Sequence, residues 1–243
     1  MNTQATINQL QALRLSGMAD SYQVCCQQPL DQQPDAHQLI ALLAEREAEA
    51  RSQRRTRLYL KMSKLRYTAT LQEVHCSAAR NLSREHINQL MDGAFIRKAQ
   101  NLLITGATGC GKSYLACALG YQACLLGYKA LYVNLNRFVE MITVAKMDGT
   151  LIGMLNRFEK IDLLILDDWG LQPLNAKTRM ALLQILEDRY GRKATIIASQ
   201  LPVSKWHEYL ADQTMADAIL DRLMTAATCF ELKGESLRKK QKQ

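Results

Sequence analysis

Residues Gly106, Ala107, Thr108, Gly109, Cys110, Gly111, Lys112 and Ser113 fit the pattern G-x-x-x-x-G-K-[ST], and each residue type in it has its own chemical duty. The glycines let the backbone curl until consecutive N–H groups face a polyanion, and a helix that starts directly after them adds partial positive charge. Lys112 has the reach for β and γ phosphates, and the Ser113 hydroxyl can ligate Mg²⁺. The stretch reads as a cradle for a nucleoside triphosphate. Cys110 stands at a variable position of the pattern, so its thiol is given no role.

A second constellation follows 55 residues after Lys112, where the apolar run from Ile161 to Leu166 ends in Asp167 and Asp168. Such a run suits a buried parallel strand whose end faces the phosphates. Asp167 would then hold the Mg²⁺ shell, and Asp168 would orient or deprotonate the attacking water. Without the loop, the same residues would read as a strand and an Asp-rich turn. A third apolar run, Ala194 to Ala198, ends at Ser199 and Gln200. A polar side chain there could sense a γ-phosphate through a hydrogen bond, or the pair could simply form a turn.

The elements that must position these groups alternate in type. Asn101 to Thr105 predicts a strand, and Leu115, Ala116, Leu119 and Ala123 lie at helical spacing behind the loop. Lys129 to Val133 predicts a second strand, followed by helices carrying Phe138, Met141 and Ile142, then Leu151, Leu155 and Phe158 after a turn at Asp148-Gly149. Asn175 is placed to cap a helix closed by Gly191, and helical segments cover Val203 to Leu210 and Met215 to Met224. Strand–helix alternation of this kind predicts an α/β fold on a parallel sheet. Arg222, beside Asp221, reads as a surface ion pair, and Arg238 to Lys242 as a basic end.

Ahead of this body the pattern is all-helical. Ile7, Leu10, Leu13 and Met18 predict a first helix ended by Gly17 or soon after, and Asp35 with Gln38 resembles a capping box opening a second. That second helix passes from Glu45, Glu47 and Glu49 to Arg51, Arg54, Arg55, Arg57, Lys61, Lys64 and Arg66, with no acid from 50 to 66. Acids before bases suit the helix dipole, which favours a solvated, salt-bridged face. The excess of bases favours sequence-independent contact with nucleic-acid phosphates. Residues 67–82 lack periodicity and read as a connector, after which Ser83 caps a helix with Leu82 and Ile87 as its staple. The expected division is a helical DNA-contacting domain, 1–72, and a nucleotide-binding domain, 73–243.

The chain of 243 residues is 48% hydrophobic and 22% charged, ordinary for a globular protein. No run is long enough to span a membrane, and the N-terminus lacks the build of a signal peptide, so a cytoplasmic protein without membrane contact is expected. Seven cysteines without paired C-x-x-C spacing and four scattered histidines point to neither a disulfide framework nor a zinc site. The net charge of +8 sits at the ends: residues 1–100 carry 13 bases against 9 acids, 101–230 carry 13 against 12, and 231–243 carry 5 against 2. Polyanion contacts outside the nucleotide pocket are therefore expected.

The order of these motifs resembles AAA+ ATPases of the DnaA/DnaC initiator and helicase-loader clade. It is more similar still to the IstB-type ATPases encoded beside the transposase of one class of bacterial insertion sequences. Asn101-Leu-Leu-Ile-Thr-Gly106, Leu163-Leu-Ile-Leu-Asp-Asp-Trp-Gly170, Ser199-Gln-Leu-Pro202, Gly234-Glu-Ser-Leu-Arg238 and Leu13-Arg-Leu-Ser-Gly-Met18 carry the likeness over nearly the whole chain. The resemblance implies a three-layer αβα fold with five parallel strands in the order 5-1-4-3-2, behind a small helical domain. It implies ATP with Mg²⁺ bound between neighbouring subunits of a homo-oligomer, Arg222 as an arginine finger and Arg238 as a second nucleotide sensor. It further implies assembly on duplex DNA, deformation of that DNA, and delivery of the target to a cognate transposase; the alternative is a DnaC-like loader of a replicative helicase. Where many AAA+ members carry glutamate after the magnesium aspartate, this chain has the shorter Asp168.

Overall fold

The computed structural model describes residues 2–237. The chain divides between Leu58 and Tyr59 into two compact units. In the first, α1 (Thr3–Ala12) and α2 (Ser16–Gln27) precede α3 (Ala36–Ser63), which runs past the division. The expected capping box opens α3: Asp35 Oδ1 accepts from Gln38 N at 2.8 Å, and Gln38 Oε1 accepts from Asp35 N at 3.3 Å. Gly17 does not end the first helix. The break falls earlier, with Arg14 at φ 59°, and Gly17 lies in the first turn of α2, where a Cβ would stand 2.8 Å from that of Ala50 on α3. The first turn of α2 is held by Glu47, which is only 4% exposed and accepts from Gly17 N at 2.8 Å.

Helix α3 ends at Ser63, so Lys64 and Arg66 lie beyond the helix on which they were expected. The stretch 67–82, expected as a connector, contributes Ala69, Leu71, Val74 and Leu82 to a packed core. Tyr59, Leu60, Leu65 and Tyr67 pack against the same core, and the compact second unit begins at Tyr59. Then come α4 (Arg84–Met91), capped by Ser83 as expected, and the single turn α5 (Ala94–Arg97).

The second unit continues as β1 (Leu102–Gly106), α6 (Lys112–Leu125), β2 (Ala130–Asn134), α7 (Leu135–Met147), α8 (Leu151–Glu159), β3 (Leu163–Trp169), α9 (Ala176–Arg189), β4 (Ala194–Ser199), α10 (Trp206–Leu210), α11 (Gln213–Met224) and β5 (Thr228–Leu232). All pairings are parallel, in the order β2-β3-β4-β1-β5. The expected order 5-1-4-3-2 is the same sheet seen from the other edge. Only the resemblance had implied β5, whose outer residues are exposed and break the apolar run.

Strand side chains alternate between two apolar layers, as a period of two requires. Leu102, Ile104, Leu163, Ile165 and Ile196 face the layer that includes α4 and α6; Leu103, Leu164, Leu166 and Ile197 face the layer of α7 to α11. Both faces are covered, which is why these strands read as continuous apolar runs. At the edge where the strands begin, Asn101 ties β1 to its neighbours: its Nδ2 donates to Arg222 O at 3.0 Å and its Oδ1 accepts from Thr195 N at 3.0 Å. Arg189, buried on the same edge, donates to Phe158 O and Ile161 O at 2.8 and 2.7 Å, and burial pushes its pKa down to about 9.

Candidate nucleotide site

The loop between β1 and α6 leaves the sheet at the opposite edge, where the strands end. Gly106 has φ 144°, and a Cβ on it would run into Leu232 O of β5. Gly111, at φ 92°, is the N-cap of α6, so the loop delivers its backbone N–H groups onto a helix start. Lys112 is buried, its ammonium donating to Gly106 O and Ala107 O at 2.8 Å each. Ser113 stands in the first turn of α6, and the Cys110 side chain turns into the apolar core. Ala107, Thr108 and Gly109 belong to the segment joining β1 to this helix start.

Arg80, which the sequence did not single out, and Leu237, from the Gly234 to Arg238 stretch, brace the loop. Arg80, from the aperiodic stretch before α4, is buried and donates through Nη2 to Cys110 O at 2.6 Å and through Nη1 to His75 O. Nothing in the spacing around Arg80 marks it; the contact spans thirty residues and exists only in the folded chain. Leu237 N donates to Gly109 O at 3.0 Å, which brings the chain after β5 onto the loop.

Asp167 and Asp168 lie just before the end of β3, two strands from β1 and hence about 10 Å across the sheet. Asp167 is fully buried; its Oδ2 accepts from Tyr132 Oη at 2.6 Å and its Oδ1 from Asp168 N at 2.9 Å. Burial and this carboxylate push the Tyr132 phenol well above its ordinary range, so it stays a donor. The register between β3 and β4 slips between Leu166 and Trp169, and Asp168 takes φ 60° there. This left-handed turn in a non-glycine residue separates the two carboxylates. Asp168 Oδ2 accepts from Asn134 Nδ2 and lies 3.9 Å from Arg66 Nη1. Tyr132 and Asn134 were not foreseen, although a polar residue at the tip of an expected strand is the signal already used for Ser199-Gln200. The Ser113 hydroxyl and Asp167 carboxylate are hard oxygen donors, a set that suits Mg²⁺.

At the tip of β4 the two polar residues have different work. Ser199 is buried, its Oγ donating to Trp169 O at 2.8 Å and accepting from Leu201 N at 3.0 Å, so it holds the turn. Gln200 reaches the loop, where its Oε1 accepts from Thr108 Oγ1 at 2.7 Å.

Other expected site residues lie elsewhere. Arg222, on α11, sits with Asn101 at the start of β1, the full strand length of about 17 Å from Gly106. It is ion-paired to Glu187 and, at 3.6 Å, to Asp221. Glu47 takes up two of the candidate DNA-contacting bases, Arg51 at 2.7 Å and Arg54 at 3.0 Å. Arg55, Arg57, Lys61 and Lys64 are exposed, whereas Arg66 turns to Asp168. Arg238 and the basic residues after it lie outside the described residues. All seven cysteines are free thiols, and no helix among the described residues is long and apolar enough to cross a membrane.

Residues 8–243 match the family model described as IstB-like ATP binding protein. An insertion-sequence ATP-binding protein of Sinorhizobium fredii is 42% identical over 237 residues, 98% of this chain and 97% of that protein. The IS21 ATP-binding protein of Pseudomonas aeruginosa is 28% identical, over 96% of this chain and 88% of its own length. Among solved structures, AMPPCP-bound DnaA from Aquifex aeolicus matches with a TM-score of 0.59 at 20% identity, covering 73% of this chain and 54% of DnaA. The DnaC helicase loader matches at 0.55 and 18%, covering 69% of this chain and 98% of the loader. These two likenesses show that the chain shares the fold of the DnaA and DnaC structures. By sequence, the chain belongs to the IstB-like family of insertion-sequence ATP-binding proteins.

Proposed function

We propose that this protein is an ATPase that assembles on duplex DNA with Mg²⁺ and ATP, deforms the DNA and presents it as target to a partner transposase. The observation that carries the reading is the split of the chemistry between two edges of one sheet. Lys112, Asp167, Asp168 and Gln200 gather where the strands end, and Arg222 stands where β1 begins. A finger so placed cannot act on its own chain's nucleotide; it serves a neighbour's, which makes the active unit an oligomer. The insertion-sequence relatives support the transposition setting, and the exposed bases at Arg55, Arg57, Lys61 and Lys64 support phosphate contact.

In this reading the loop N–H groups, the start of α6 and Lys112 hold the phosphates. Mg²⁺, held by Ser113 and Asp167, would neutralise charge on them. Asp168 takes the proton of the water whose oxygen bonds to the γ-phosphorus as the bond to the β–γ bridging oxygen breaks. Gln200 reads the γ-phosphate; Ser199 keeps the turn beneath it.

Sedimentation and electron microscopy of the full chain with duplex DNA, under ATP, ADP or no nucleotide, test the proposal. Assemblies should form with ATP and be lost in Lys112→Ala. Assembly that ignores nucleotide and survives K112A rejects it, and a clear preference for single-stranded DNA moves the reading to a helicase loader.

A further inference from the structure

Arg66 lies three residues past the end of α3, and its guanidinium approaches Asp168 Oδ2 to 3.9 Å. It also lies over the Tyr67 ring, 5.4 Å from the centroid. The nearby Tyr132 hydroxyl, with Tyr67 and Asp168, holds its pKa above the ordinary arginine value. Tyr132 in turn donates to Asp167. The one site carboxylate that the guanidinium approaches directly is Asp168. Asn134 donates to the same Asp168 oxygen, so a hydrogen bond and a nearby positive charge both stabilise the ionised carboxylate and weaken its pull on a water proton.

We propose that Arg66 is a positioning residue that restrains Asp168, keeping hydrolysis slow until its guanidinium swings away. This rests on the ATPase reading of the acidic pair given above. The side chain is 46% exposed and that of Asp168 22%, so the pair can part without opening the core. The space for that movement is present: Arg66 lines a cavity of about 710 Å³ along β2, with Lys64, Arg137, Arg157 and Lys160. No acidic side chain lines it among the described residues, so an anion entering it would compete with Asp168 for Arg66.

The test is steady-state ATP hydrolysis by the full chain without DNA. Arg66→Gln keeps a donor for Tyr132 but loses the charge. It should raise kcat about two- to fivefold, the scale of a half-exposed ion pair, with KM for ATP unchanged. R66K should fall back toward the wild-type rate, and R66A should repeat the rise should R66Q fold poorly. A merely structural role would lower kcat or raise KM. An unchanged or reduced kcat in folded R66Q therefore overturns the restraint. Asp168→Asn, measured alongside, separates the failures: if D168N hydrolyses ATP normally, the role of Asp168 itself fails; if D168N is inactive and R66Q unchanged, only the restraint does.

Discussion

Glutamine in place of Glu47 gives the most direct test of whether the basic stretch of α3 meets DNA. The Glu47 carboxylate serves two ends at once: Oε2 accepts from Gly17 N, and Oε1 accepts from Arg51 and Arg54. The amide introduced by E47Q retains an oxygen for Gly17 but loses the charge that holds the two arginines. The capping contact is worth about 1 kcal/mol and is largely kept. The arginines are 62% and 47% exposed, so their pairs together contribute about 1 kcal/mol at most. E47Q should therefore fold, with a stability loss near 1 kcal/mol.

Its DNA affinity should rise. One net positive charge is gained beside the bases, which steepens the slope of log K against log salt by about 0.9 and strengthens binding about eightfold at roughly 0.1 M salt. Fluorescence anisotropy of labelled duplex across a salt series reads both quantities. A slope unchanged or shallower in folded E47Q would refute the placement of DNA on this helix. Acid gives a second check. The hydrogen bond from Arg51, with those from Gly17 and Met18, holds the Glu47 carboxyl below its ordinary 4.5. A lowered acid pKa stabilises the fold fully above the unfolded value and loses that effect as pH falls through the folded one. The stability gap between wild type and E47Q should be complete above pH 4.5 and close below it.

The two residues at the tip of β4 should separate under mutation. Ser199→Ala breaks two buried hydrogen bonds and should cost about 1–2 kcal/mol in a urea titration while leaving KM for ATP close to wild type; Gln200→Ala should leave the midpoint in place and lower kcat. The reverse pattern would exchange their roles. Arg222→Ala removes a finger worth about 10³ or more in rate, so DNA-stimulated turnover should nearly cease with ATP binding intact. Its ion pairs to Glu187 and Asp221 are partly exposed, and their loss should move stability by less than about 1 kcal/mol. Normal turnover in R222A would remove it from the site.

Chemistry that depends on neighbours in sequence was legible in the sequence. The loop from Gly106 to Ser113, the acids closing a run buried on both faces, and the caps at Asp35, Ser83 and Asn175 all act within a few residues of themselves, so spacing alone identifies them. Four strands announced themselves because covered faces make apolar runs; β5 did not, since the edge strand leaves Thr228, Cys229 and Glu231 exposed. What only the tertiary structure decided is which partner each charge meets. Glu47 takes Arg51 and Arg54, Arg80 crosses thirty residues to the phosphate loop, and Arg66 leaves the basic run for Asp168. A long cationic side chain has the same signature in sequence whether it faces solvent, a backbone carbonyl or a carboxylate. Its role is set by the group that folding brings within about 4 Å, the range over which an opposite charge governs its energy.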